Sequence, residues 1–262
     1  PATWEELRAA AEAVTTRNDQ GRIETAGFAF ADSSTGAGVV HPFYALTFSE
    51  GSDVYTDDFA EANLDGGAAL AALTREAGLV QDGLTDLSID AYDFPAGGIG
   101  MMIMANWYES AIREGFGDAF DTDVAVSAIP MGEDWKTLQY AFFMGVDSAS
   151  ERQEEAWALV EYLNAPRDGG VSCMGEMLEG LGALTANAAD NAAMEAPDAF
   201  TAPFLAALDD GRAISQPNVM QAAEIEGMMA QAFERAMAGE TTPEEALQTL
   251  DAEVEGILFE FY

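Results

Sequence analysis

Asn106-Trp107-Tyr108 is where residue type and position first suggest a site. The triplet follows the apolar run Gly100 to Met104, and a loop at the end of a buried strand presents its side chains to a crevice. Indole and phenol rings stack on the apolar faces of a sugar, while Asn, Gln, Asp and Glu in the same cleft bond its hydroxyls. Phe43, Tyr44, Trp135 and Tyr140 are further rings that could serve such a cleft, with core packing the competing explanation for each.

Catalysis has less to draw on. His41 is the only histidine, so a His-based triad or zinc site would need distant partners; it is either a ligand contact or a surface or turn residue. The chain has no P-loop, H-E-x-x-H, G-x-S-x-G or dinucleotide fingerprint, and Gly97-Gly98-Ile99-Gly100 has neither the spacing nor the following helix of the last. Among 47 acidic residues, chance places some pair at the separation of about 5–9 Å that a glycosidase uses. A carboxylate pair read from sequence therefore carries little weight, and no catalytic residue, metal ligand or cofactor is expected.

The 262 residues, 49% of them hydrophobic, suffice for one large core or two small ones. Ten basic residues against 47 acidic ones leave a formal charge of -37, a field that repels phosphate backbones and anionic lipid and argues against nucleic acid as a partner. Lys136 is the lone lysine; the arginine bias and the acidity together fit a salt-adapted, halophilic setting, where a short Debye length screens self-repulsion. Cys173 is the single cysteine, so no intramolecular disulfide forms, and it reads as a small semi-buried residue rather than a reactive thiol. The longest apolar run, Ile99 to Tyr108 with its preceding glycines, falls short of the ~20 residues a membrane-spanning helix needs. The chain opens at Pro1 inside what reads as a helix start, without a secretory signal, so either the protein is cytoplasmic or its true amino terminus lies upstream.

The elements that must position these residues alternate between strand and helix, an α/β pattern. Thr3 and Glu6 form a capping box for a first helix carrying Leu7, Ala10, Ala11 and Val14. Thr25 to Phe30 reads as a strand, a second helix starts near His41 or Pro42, and Asp65 can cap a third that ends at Gly78. Gly100 to Met104 reads as a strand buried on both faces, and Val124 to Ile129 and Ala141 to Val146 as two more strands. Ser150, with Gln153 three residues on, caps a helix presenting Ala156, Trp157, Val160 and Leu163 until Pro166. Met220, Ala223, Met228, Ala232, Phe233 and Met237 trace a helix ending at Gly239. Thr242-Pro243-Glu244-Glu245 then starts the last one, with a stripe of Leu247, Leu250, Val254, Ile257, Leu258 and Phe261.

Five blocks, in order along nearly the whole chain, resemble one family. They are Pro1-Ala2-Thr3-Trp4-Glu5-Glu6-Leu7; Phe94 to Trp107; Ala141 to Asp147 with Ser148-Ala149-Ser150 and Glu154-Glu155-Ala156-Trp157; Gln216-Pro217-Asn218-Val219; and Ala238 to Leu247. In these the chain is similar to the extracellular solute-binding proteins of sugar-type ABC importers, the maltose-binding-protein-like family. The resemblance implies a periplasmic-binding-protein-like α/β fold of type II, in which two lobes close on a ligand about a hinge. It maps residues 1–130 and 186–262 to the second, C-terminal lobe, and 131–185 to a segment returning to the first lobe. The opening part of that first lobe, with any signal peptide or lipid-anchor cysteine, would precede this sequence, and the returning segment should pack less completely than the rest.

The same resemblance places ligand positions at Trp107, with Asn106 beside it, in the Phe43-Tyr44 region, and on the helix entered from Pro217. There, where relatives stack an aromatic residue, this chain offers Ile225, Glu226 and Gly227. Glu226 cannot stack, but it can accept hydrogen bonds from hydroxyls or attract a cation. Gln139 and Tyr140 stand where relatives often carry a glycine pair. The implied protein is the monomeric binding component of an ABC importer, periplasmic or extracellular at the cell surface, which carries a mono- or oligosaccharide to permease subunits and performs no chemistry. The alternatives are a carrier of polyamines or other cations, a carbohydrate-active hydrolase using a carboxylate pair, and a helical adaptor without a small ligand.

Overall fold

The computed structural model describes residues 1–31, 37–168, 170–193 and 198–261. In chain order the regular elements are α1 (Trp4–Val14), β1 (Thr16–Arg17), β2 (Ile23–Thr25), α2 (Ala37–Ser49), α3 (Gly67–Gln81), α4 (Glu109–Phe116), α5 (Phe120–Asp123), β3 (Thr137–Gln139), α6 (Gln153–Asn164), α7 (Cys173–Glu179), α8 (Ala188–Ala193), α9 (Ala202–Asp209), β4 (Ala213–Ser215), α10 (Ala222–Met237) and α11 (Pro243–Leu258). They gather into two units, the first made of Pro1–Ile103, Ser127–Gln139 and Ala207–Tyr262, the second of Met104–Val126 and Tyr140–Ala206.

The first unit is built around α2. This helix is apolar on all sides and buries residues all round its circumference, as a central helix must. The helices α3 and α10 pack on it, and α11 packs on both of those. Phe43 meets Phe233 of α10 with ring centroids 4.5 Å apart. α2 begins at Ala37, earlier than its proline suggested: Pro42 has a helical φ built in and removes only the one hydrogen bond to the Gly38 carbonyl. At the other end Ser49 Oγ accepts from the Lys136 N–H at 2.8 Å, fixing the approach to β3. β3 then pairs in parallel with β4, Thr137 opposite Ala213 and Gln139 opposite Ser215.

α1 has the expected Thr3 cap, whose Oγ1 accepts from the Glu6 N–H at 3.3 Å. The Glu6 carboxylate accepts from Ala2 rather than Thr3, so the box is not reciprocal. Gly27 lies against the Ala11 backbone of this helix so closely that a methyl group has no room. Residues expected as strands at 25–30 and 100–104 do pair in parallel, through bridges Ala26 to Ile99 and Ala29 to Met102. They form no continuous strand, and Met101, Met102 and Ile103 are half-buried rather than buried on both faces. α3 takes no side-chain cap from Asp65 and runs through Gly78. It stops at Gly83, whose left-handed φ of 71° lets the Leu84 N–H reach the Leu79 carbonyl at 2.9 Å.

The second unit has a smaller buried centre. Phe120 and Phe200 pack with centroids 5.6 Å apart, and the Arg113 guanidinium lies 3.9 Å above the Phe120 ring while pairing with Glu109 and Asp198. Buried Asp190 accepts from the Ser172 N–H at 2.7 Å and its hydroxyl at 2.6 Å, and that hydroxyl caps α7 by accepting from Gly175. These ties join 109–126 to 140–206, while the pairing of β3 with β4 holds 127–139 in the first unit. The units change over after Ile103, Val126, Gln139 and Ala206.

Ala141 to Val146 and Val124 to Ile129, expected as strands, have no regular pairing among the described residues. Phe142 and Phe143 are 89% and 92% exposed. An apolar run signals a need for burial, not the presence of a partner. α6 likewise buries none of its residues, which agrees with the incomplete packing expected of this stretch. It starts at Gln153, with Ser150 accepting from the Arg152 N–H instead of capping the helix. No helix of the described residues is long and apolar enough to cross a membrane.

Candidate functional site

In the first unit, packing of α2 on α10 brings together residues almost two hundred positions apart in sequence. His41 and Tyr44 lie one turn apart on α2, with ring centroids at 6.5 Å and planes 24° apart. The Tyr44 hydroxyl donates to the Met229 thioether at 3.4 Å, and Tyr55, from the loop after α2, acts on it electrostatically. Glu226, on the same helix as Met229, acts electrostatically on both phenols. Its Oε1 accepts from Gln216 Nε2 at 2.5 Å.

Burial sets the electrostatics of this cluster. It pushes the Tyr44 and Tyr55 phenols up, with the Glu226 charge adding to the effect. Burial also raises Glu226, opposed by the Gln216 amide, and lowers His41, which keeps its imidazole neutral. The result is a half-buried carboxylate beside two phenols and a neutral imidazole. Glu226 makes no ion pair among the described residues. Phe43, packed on Phe233, Tyr44 and Tyr55 are all buried in the core of the first unit, and the members of this group that stay partly exposed are His41, Gln216 and Glu226.

In the second unit, Trp107 follows the extended segment as expected and stays 36% exposed. Its Nε1 donates to the Tyr140 hydroxyl at 2.7 Å, and Tyr140 meets Phe142 edge to face at 6.0 Å. Asn106 donates its amide to the Gly182 carbonyl at 3.1 Å, holding that loop beside the ring pair. Trp135, in the first unit, is covered by the Arg212 guanidinium at 4.9 Å.

Thus the structure groups His41, Tyr44 and Glu226 in one cluster, and Asn106, Trp107 and Tyr140 in another. Sequence reasoning missed Tyr55 and Gln216. Tyr55 sits in an aperiodic, turn-rich stretch, and Gln216 was visible only as the residue before the Pro217 helix entry. Among the described residues no three His, Cys, Asp or Glu side chains are grouped to hold a metal ion.

No curated protein matches the sequence. Solved structures do match over nearly the whole chain. The GacH receptor of Streptomyces glaucescens, solved unliganded and with acarbose, is 20% identical with a TM-score of 0.78, over 100% of this chain and 65% of its own. The maltose/maltodextrin-binding domain of Bdellovibrio bacteriovorus, bound to maltotriose, is 18% identical at 0.75, over 98% and 67%. A solute-binding protein of Thermotoga lettingae, bound with α-D-tagatose, is 19% identical at 0.74, over 98% and 65%. The chain thus spans about 65% of the length of such structures and has their type II periplasmic-binding-protein-like fold over that part. The sequence profile of the bacterial extracellular solute-binding proteins matches residues 1–169, and the chain belongs to that family.

Proposed function

We propose that this chain is the ligand-binding component of an ABC importer, working outside the cytoplasmic membrane and delivering a sugar or polyol to permease subunits. The observation that carries this reading is the make-up of the two clusters. Trp107 with Tyr140 offers a partly exposed ring beside hydrogen-bonding groups, and half-buried Glu226, Gln216 and His41 offer further polar groups over the buried Tyr44, on the fold of proteins solved with tagatose and maltotriose. We assign 1–130 and 186–262 to the C-terminal lobe and 131–185 to the segment returning to the other lobe. The exposed rings of Phe142, Phe143 and Trp157 support this, since a chain of the relatives' full length has the further residues to cover them. Ligand binding would then act by shifting an open population of lobes to a closed one.

The hydrolase alternative needs a second carboxylate acting on Glu226, and among the described residues Glu226 feels only burial and the Gln216 amide. A thermal-shift screen of the protein at molar salt against sugars, polyols and polyamines tests the reading, because a ligand of the native state raises the melting temperature. A shift with a sugar or polyol that Trp107→Ala diminishes is the expected result. No shift with any compound would sink the carrier reading.

A further inference from the structure

Glu226 is the one member of the first cluster whose chemistry is unfinished. Its Oε1 accepts the Gln216 amide, and its other oxygen takes no hydrogen bond among the described residues. Among the described residues no cation pairs with it. Burial lowers the pKa of His41, and the paired arginines are engaged elsewhere, Arg8 with Asp82, Arg75 with Glu50, Arg113 with Glu109 and Asp198, and Arg212 with the Glu133 and Trp135 carbonyls.

A half-buried carboxylate without a counter-charge is costly to keep ionised, and the two buried phenols that feel its charge add none of opposite sign. Hydroxyl groups of a neutral sugar would hydrogen-bond the free oxygen and leave the charge uncompensated. An ammonium group would do both. The position also differs in kind from a stacking residue, which would select for an apolar ring face instead of a charge.

We infer that the ligand carries a protonated amine, as an amino sugar or amino polyol does, with Glu226 as its counter-ion. This rests on the reading above that the Tyr44–Glu226 cluster belongs to the ligand site. A linear polyamine presents the same ammonium chemistry, so the test includes both sources.

The experiment is calorimetric titration of the protein with matched compounds: hexosamines and amino polyols, their N-acetyl forms, the corresponding neutral sugars and polyols, and spermidine. The amines should bind about tenfold or more tightly than their neutral counterparts. Glu226→Gln should abolish that preference with an unchanged circular dichroism spectrum, and Glu226→Asp should keep part of it. Spermidine binding that depends on Glu226 would uphold the counter-ion and identify a linear amine as its source. Neutral sugars binding as well as the amines, or a Glu226→Gln variant that retains the preference, would overturn the inference and leave the sugar-carrier reading standing. A panel with no binder at all would remove that reading and this one together.

Discussion

Two helices with similar sequence patterns have opposite fates. α10 and α6 are both amphipathic, yet α10 buries Ile225, Met229, Ala230, Phe233, Ala236 and Met237, while α6 buries nothing and leaves Trp157 and Tyr162 53% and 66% exposed. Periodicity tells that a helix has an apolar stripe; it does not tell what covers the stripe. Stability should therefore be concentrated in the first unit.

The largest expected effect tests the α10 side of this contrast. Phe233→Ala leaves a cavity against Phe43 and should cost about 3–5 kcal/mol in urea denaturation at high salt. Asp190→Ala removes a buried carboxylate holding two hydrogen bonds to Ser172, at a cost of about 1.5–3 kcal/mol. Hydrogen exchange should show that loss around α7 while α2 keeps its protection.

Glu76 refines the comparison from inside the well-packed unit. Both its oxygens are buried without a hydrogen bond, and burial raises its pKa well above the ordinary carboxylate range. The folded chain thus holds a proton that the unfolded chain releases. This contribution to stability is fully present below the unfolded value of about 4.3 and is lost as pH rises through the raised one. Glu76→Met should stabilise by about 1–3 kcal/mol at pH 8, and the gain should shrink as pH falls toward 4. A gain independent of pH would mean that the carboxyl is ionised in the folded state. The smallest effect belongs to α6: Trp157→Ala should change stability by less than about 0.5 kcal/mol. A cost approaching that of Phe233→Ala would erase the distinction between the two helices.

What could be read in the sequence was local. The Thr242–Glu245 capping box is present in both directions, and Leu247, Leu250, Val254 and Leu258 are buried as the stripe required. Phe261 falls past the helix end and is exposed, because the stripe was extended beyond Leu258. On α10 Phe233 and Met237 are buried as expected, but Met228 is half-buried while Ile225 and Met229 face the core, and Met220 lies exposed before the helix begins. A run of alanine and methionine marks a face less sharply than leucine does. The site was legible one residue at a time. Tyr44 and Glu226 stood out, but what brings their helices together, the packing of α2 on α10 with Tyr44 against Met229, is tertiary, and no spacing encodes it.

Gly27 carries a consequence for how this protein can change. Where it faces Ala11 there is no layer of side chains between α1 and the segment beneath, so the spacing is set by main-chain atoms alone. Elsewhere in the core a lost methylene can be made up by a neighbour, and many sequences share one shape. Here the repertoire has a single member, and any replacement, even alanine, would have to lift the whole helix to be accommodated.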